Sequence, residues 1–294
     1  FRMAKETFRQ NTKEEAEFSH VYYMHLLFRE KGERPLAETL KGELEKRYGR
    51  TDLVTDADQK LTSFALFRYL VEYKDGEKAP AQVMMMDYQP FDQERIDAFQ
   101  RSQFWDCPQA EQLLDECGYE LVLADFLASG LPYMERCDML AGWLDLVLRF
   151  LPECEAVWFP ASGKLLTREQ LLENPYKNGL RFLYFGVNAR FFTVDGSEDC
   201  VVDTLGLYAV GLPDVQYHYH GLDPNQVVNH AYNTVIYIFE NNAPIQSGET
   251  IDGISEKGID RSRQWKCRYE RALIQPVRDV MDICPGEYAS GGRN

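Results

Sequence analysis

Twice along this chain an apolar run of strand length is followed, after a proline, by a longer segment whose apolar residues return at helical spacing. The first is VYYMHLLF at 21–28, then the segment opened by Pro35, where Leu36, Leu40, Leu44 and Tyr48 recur every four residues and Gly49 stands as a cap. The second is YELVLADFL at 119–127, then the segment opened by Pro132. There Tyr133, Cys137, Leu140, Trp143, Leu144, Val147, Leu148 and Leu151 share one broad face. A strand followed by a helix of this kind buries its apolar side only by stacking helix on sheet. The pattern therefore predicts an α+β fold, with tandem strand-helix-strand units and mixed or antiparallel sheets covered by helices.

Further elements follow the same logic. SFALFRYLVEY and APAQVMMMDY flank the turn KDGEK and read as a hairpin, while the segment before them, after Gly49, reads as a polar loop. Residues 91–117 read as a helical connector. EAVWFP is a strand, and Thr167 with Gln170 makes a capping box for a short helix. The last third is strand-rich: NARFFTV, DCVVDTLGLYAV and DVQYHYH are strands, with further strand-like pieces around Ile245 and Trp265–Tyr269, and Asp223 caps a helix that begins at Pro224. The expected organisation is a polar lead-in at 1–18, a β-α-β-β unit with its connector at 19–117, and a second α/β unit at 118–294. The boundaries are soft, and one compact domain is the alternative.

With 45% apolar and 13% aromatic residues in 294, the chain can bury a sizeable core, which excludes general disorder. The net charge of -15 repels phosphate backbones and anionic lipid, and no run of Lys and Arg overrides it. Neither nucleic acid nor membrane is expected as a partner. The longest apolar run is far short of the ~20 residues of a membrane helix, and the charged first residues lack the apolar core of a signal peptide. Seven scattered cysteines without a C-x-x-C pair argue against a disulfide framework or structural zinc and for a reducing, cytoplasmic setting; Cys137 and Cys154 read as small buried hydrophobes.

The stretch GLPDVQYHYHGLDP, from Gly211 to Pro224, looks most like chemistry. If it is extended, Val215, Tyr217 and Tyr219 share one face and Asp214, Gln216, His218 and His220 the other. Two imidazoles ~7 Å apart on one strand face suit a metal ion or a catalytic cleft, with Asp214 or Asp223 to add an oxygen. The other reading is a half-solvated sheet face. His230, on the following helix, falls opposite Val227, Val228, Ala231 and Val235 and is expected to face water. Arg190, Arg278 and Asp203 lie among apolar residues, where a charge needs a partner; an internal Arg–Asp pair competes there with a substrate clamp. His20 and His25 read as hydrogen-bonded core residues. Phosphate-cradling glycine motifs, a nucleophile elbow and H-E-x-x-H are absent, so no cofactor is called for.

The segments VNARFF (187–192), VVDTLGLYAVGLPDVQYHYHGLDP (201–224), HAYN (230–233), YIFENNAPIQSGETIDGI (237–254) and WKCRYERALIQPVRDVMDI (265–283) together resemble a bacterial family known as domain of unknown function 4261. A looser likeness extends upstream. The resemblance implies a bacterial, intracellular protein of mixed α and β fold; it carries no reaction, cofactor or functional residue. Two functions follow as expectations. One is a non-enzymatic module that binds a protein partner through exposed aromatics such as Trp105, Phe104 or Tyr237. The other is a hydrolase-like or metal-assisted enzyme with His218, His220 and Asp214 as catalytic candidates, and Gln216, Asp223 and Arg190 in binding.

Overall fold

The computed structural model describes residues 20–58 and 60–292, so the lead-in at 1–18 lies outside the described residues. The described chain forms two compact units, 20–186 and 187–292. The division thus falls after Gly186 and not at the expected 117/118. The reason lies in the first sheet, which both strand-helix-strand repeats share.

In the first unit, β1 (Tyr23–Phe28) leads to α1 (Ala37–Tyr48), then β2 (Thr51–Ala57), β3 (Leu61–Glu72), β4 (Lys78–Met86) and the short β5 (Gln89–Pro90). The connector holds α2 (Ala98–Arg101) and α3 (Ala110–Glu116). The second repeat supplies β6 (Tyr119–Phe126), α4 (Tyr133–Phe150), β7 (Ala156–Phe159), β8 (Lys164–Thr167), α5 (Arg168–Leu172) and α6 (Arg181–Gly186). The sheet runs β2-β3-β4-β6-β1-β7-β8, with β5 also on β6, and every pairing is antiparallel. Placing β6 between β4 and β1 makes the two repeats one body. β2, read as a loop, is an edge strand that buries only Thr51 outright, so its polar sequence hides its pairing.

The helices form where spacing predicts. Leu40, Leu44 and Tyr48 are buried on α1, and Gly49 closes it at φ 77. The apolar face of α4 is almost wholly buried, and Trp143 packs edge-on to Phe64 at 5.9 Å while donating its N–H to the Met84 carbonyl. Arg136 on the same helix is also buried, held by Asp125 at 2.6 Å. Thr167 and Gln170 complete the capping box of α5.

The second unit comprises β9 (Asn188–Thr193), β10 (Cys200–Leu205), a 3-10 turn (Leu207–Val210), β11 (Asp214–Tyr219), α7 (Pro224–Glu240), β12 (Thr250–Ser255), β13 (Gly258–Arg271) and β14 (Asp279–Cys284). The order is β12-β13-β14-β11-β10-β9, antiparallel except for β11 against β14, so this sheet is mixed. α7 covers one face. The fold class is α+β. The strand expected through Val210 stops at Leu205, because the next residues turn to donate their N–H groups to Asp214. No described helix is long and apolar enough to cross a membrane.

Candidate functional site

β11 is extended, so its side chains part as alternation requires. Val215, Tyr217 and Tyr219 are buried on one side, and Tyr217 meets α7 through His230. The other side is not a solvated face. Asp214 and Gln216 are both fully buried, and only His218 and His220 reach solvent.

Register explains what Asp214 and Gln216 face. Arg190 on β9 stands opposite Asp203 on β10, Asp203 opposite Gln216 on β11, and Gln216 opposite Asp282 on β14. A polar row thus crosses four strands inside the unit. Asp203 accepts from Arg190 Nε at 2.8 Å and Nη2 at 2.5 Å, and from Arg278 Nη2 at 2.9 Å. Arg278, itself fully buried, also donates from Nε to Asp214 at 3.2 Å. Asp214 accepts in addition from the Thr204 hydroxyl and from the N–H groups of Gly206, Leu207 and Tyr208. Burial raises its carboxyl above the ordinary aspartate range, while the Arg278 guanidinium and the Leu207 and Gly206 N–H groups pull it back down. Gln216 donates to Asp282 at 3.2 Å and accepts from the Leu273 N–H at 2.7 Å. Each side chain of this row has an internal partner to answer its desolvation.

The two histidines belong to a separate group. His218 Nε2 lies 3.5 Å from Asp199 Oδ2, and His220 Nδ1 lies 3.0 Å from Ser290 Oγ. Ser290 donates its proton to Asp199 Oδ1 at 2.9 Å, so its oxygen accepts from the His220 ring. The main chain follows the same path. His220 N–H donates to the Tyr288 carbonyl, Ser290 N–H to the His218 carbonyl, and Tyr219 bridges Ala289. The group ties the 288–290 segment to the end of β11. A serine poised as nucleophile would give its proton to the imidazole; here it gives it to a carboxylate.

The expected constellation is therefore divided. Asp214, Gln216 and Arg190 sit in the buried ionic row, and His218 and His220 gather at Asp199. Asp223 is exposed and caps α7 through the Asn225 N–H at 2.9 Å. Among the described residues no three His, Cys, Asp or Glu side chains are grouped to share a metal ion. His230 corrects the helical-wheel expectation: it is buried, with Nε2 donating to the Asp252 carbonyl and Nδ1 facing the Tyr217 hydroxyl, each at 2.7 Å. The buried stripe of α7 runs through His230 and Thr234 because both side chains find partners, which apolar counting does not reveal. Ser290 and Asp199 were missed. Asp199 could have been found from the β10–β11 register, which pairs Cys200 with Tyr219; Ser290, 70 residues from its partner, has no local signal.

Residues 203–284 match the model of a family described as Domain of unknown function (DUF4261). The match begins at Asp203 and ends with β14, so it spans the ionic row except Arg190. No curated protein and no solved structure matches the chain.

Proposed function

We propose that this chain is a non-enzymatic protein-binding module of the bacterial cytoplasm, and that its recognition element is the 272–278 loop. The observation that carries the reading is how the buried row is used. Arg278 Nη1 donates to the carbonyls of Ile274 and Pro276 at 3.0 and 2.8 Å, and Arg190 Nη1 to that of Gln275 at 2.9 Å. Gln216 takes the Leu273 N–H, and the Ala272 N–H meets the Arg278 carbonyl. Buried charges thus hold a surface loop in one shape while Leu273 and Val277 stand outward, 54% and 39% exposed. A loop ordered in advance loses little freedom when a partner docks, and exposed aliphatics supply the contact. Tyr237, on the same unit and 50% exposed, remains a secondary anchor; Trp105, 58% exposed, stands on the other unit, and Phe104 is buried and is not an anchor. Seven free thiols fit a reducing compartment.

The second reading, a hydrolase-like or metal-assisted enzyme, draws on the linked His218, Asp199, Ser290 and His220. The direction of the Ser290 proton weighs against it. One set of preparations separates the two. A photo-crosslinking residue at Leu273 or Val277, in the full chain inside its native cell, is expected to capture one discrete protein that Leu273→Glu no longer pulls down. Capture no greater than at Arg261, an outlying position on β13, would end the proposal. Untagged protein holding about one equivalent of zinc, manganese or iron, lost in His218→Gln, would establish the enzyme reading instead.

A further inference from the structure

Within the 20–186 unit, a cleft of about 540 Å³ opens between α1, α4 and the segment that carries α5 and α6. Its charge is opposite to that of the chain. The protein has 32 Lys and Arg against 47 Asp and Glu. The cleft has five cations, Arg47, Arg68, Arg149, Lys177 and Arg181, against two carboxylates, Asp138 and Asp145.

Both carboxylates already have partners. Asp138 accepts the Tyr69 hydroxyl at 2.7 Å. Asp145 accepts from Arg47 at 3.3 Å and from Arg149 at 3.0 and 3.3 Å. Among the described residues, no carboxylate lies within 4.0 Å of the side-chain nitrogens of Arg68, Lys177 or Arg181. Five cations against two carboxylates leave the cleft with an excess of positive charge among the described residues, which its walls focus, even though Asp138, bonded to a neutral hydroxyl, keeps its own negative charge.

The cleft is also shaped. Arg47 is fixed by the Gly142 carbonyl at 2.9 Å, besides Asp145. The guanidinium groups of Arg47 and Arg68 lie 5.9 and 6.0 Å from the centre of the Tyr48 ring. Gly142 makes room for that tyrosine, since a Cβ there would stand 1.6 Å from the Tyr48 hydroxyl oxygen. Burial pushes the Tyr48 phenol up to about 12, against the pull of Arg47, Arg181 and Arg68, so it keeps its proton as a donor at neutral pH. Arginine forks suit phosphate oxygens, and the volume fits a whole small molecule and not a bare ion alone.

We infer that this cleft binds a small phosphorylated molecule, with Arg68, Arg181 and Lys177 on its phosphates and Arg47 and Tyr48 shaping the base. The inference goes beyond the partner-binding reading and stands apart from it, because it concerns the other unit and a different readout.

The test is calorimetric titration of the full chain with pyrophosphate and, separately, ADP. Saturable binding is expected that weakens as salt is raised. Arg68→Gln and Arg181→Gln should each weaken it about tenfold, and Arg263→Gln, in the second unit, should leave it unchanged. If Arg181→Gln proves unfolded by circular dichroism, Lys177→Gln replaces it, with the same loss expected. Equal binding of the two probes assigns recognition to phosphate alone, and tighter ADP adds its nucleoside; both uphold the site. No saturation by either probe at about 1 mM, or binding untouched by Arg68→Gln with Arg181→Gln or its replacement, overturns it. That failure would leave the crosslinking result at Leu273 unaffected.

Discussion

At His230 both ring nitrogens are engaged, one by a carbonyl that can only accept and one by the Tyr217 hydroxyl. Burial lowers the ring's pKa below the ordinary histidine value, more than the Asp252 carbonyl and carboxylate restore it. The unfolded chain therefore binds this proton more tightly than the folded one. The stability that neutral His230 contributes is present above about pH 6.5 and is lost as pH falls from there toward the depressed folded value. Urea unfolding at about pH 7 and pH 5.5 should show the parent losing more stability than His230→Gln over that interval. Equal losses would remove His230 as the source. The residue also shows where sequence reading stops. Helical spacing placed His230 opposite the apolar residues of α7, but a polar ring can join a core when its partners, here on β11 and β12, come from elsewhere in the chain.

Among the elements, β11 decides most. Its alternation was legible, and so was the need of Arg190, Arg278 and Asp203 for internal partners. What could not be read is which residues stand opposite one another, since register between strands is set by pairings that span the unit. Register is what turns Asp214 and Gln216 from a supposed open face into a buried row, and what brings Arg278 from beyond β13 onto it. Arg278→Met would leave Asp214 and half of Asp203 uncompensated in the interior. It should cost about 3–5 kcal/mol in chemical denaturation, and should release the 272–278 loop, read as faster amide exchange at Leu273. A loss below about 1 kcal/mol would mean that the row does not hold the loop. β2 was misread for a related reason: an edge strand has few buried positions, so its sequence resembles a loop.

For the whole molecule, the two-unit division sets what can fold alone. The family match at 203–284 omits β9, and with it Arg190 and the strand that closes the β10 edge. A fragment 187–294 should therefore give the near-ultraviolet dichroism and cooperative melting of a packed domain, whereas 203–284 should not. Cooperative folding of the shorter piece would show that the Arg190–Asp203 pair is dispensable. Net charge, too, is a property of the whole that misleads locally. The chain is acidic and has no basic run, yet five cations drawn from positions 47 to 181 meet in one cleft. The sequence alone determined the α+β class, the placing of the main helices and most strands, the burial of Cys137 and Cys154 and the alternation of β11, because these depend on neighbours a few residues apart. Tertiary structure alone decided where the units divide, which charges pair, where His230 points and which cations converge. Each of those depends on contacts between residues far apart in the chain, whose energies only a completed sheet brings into play.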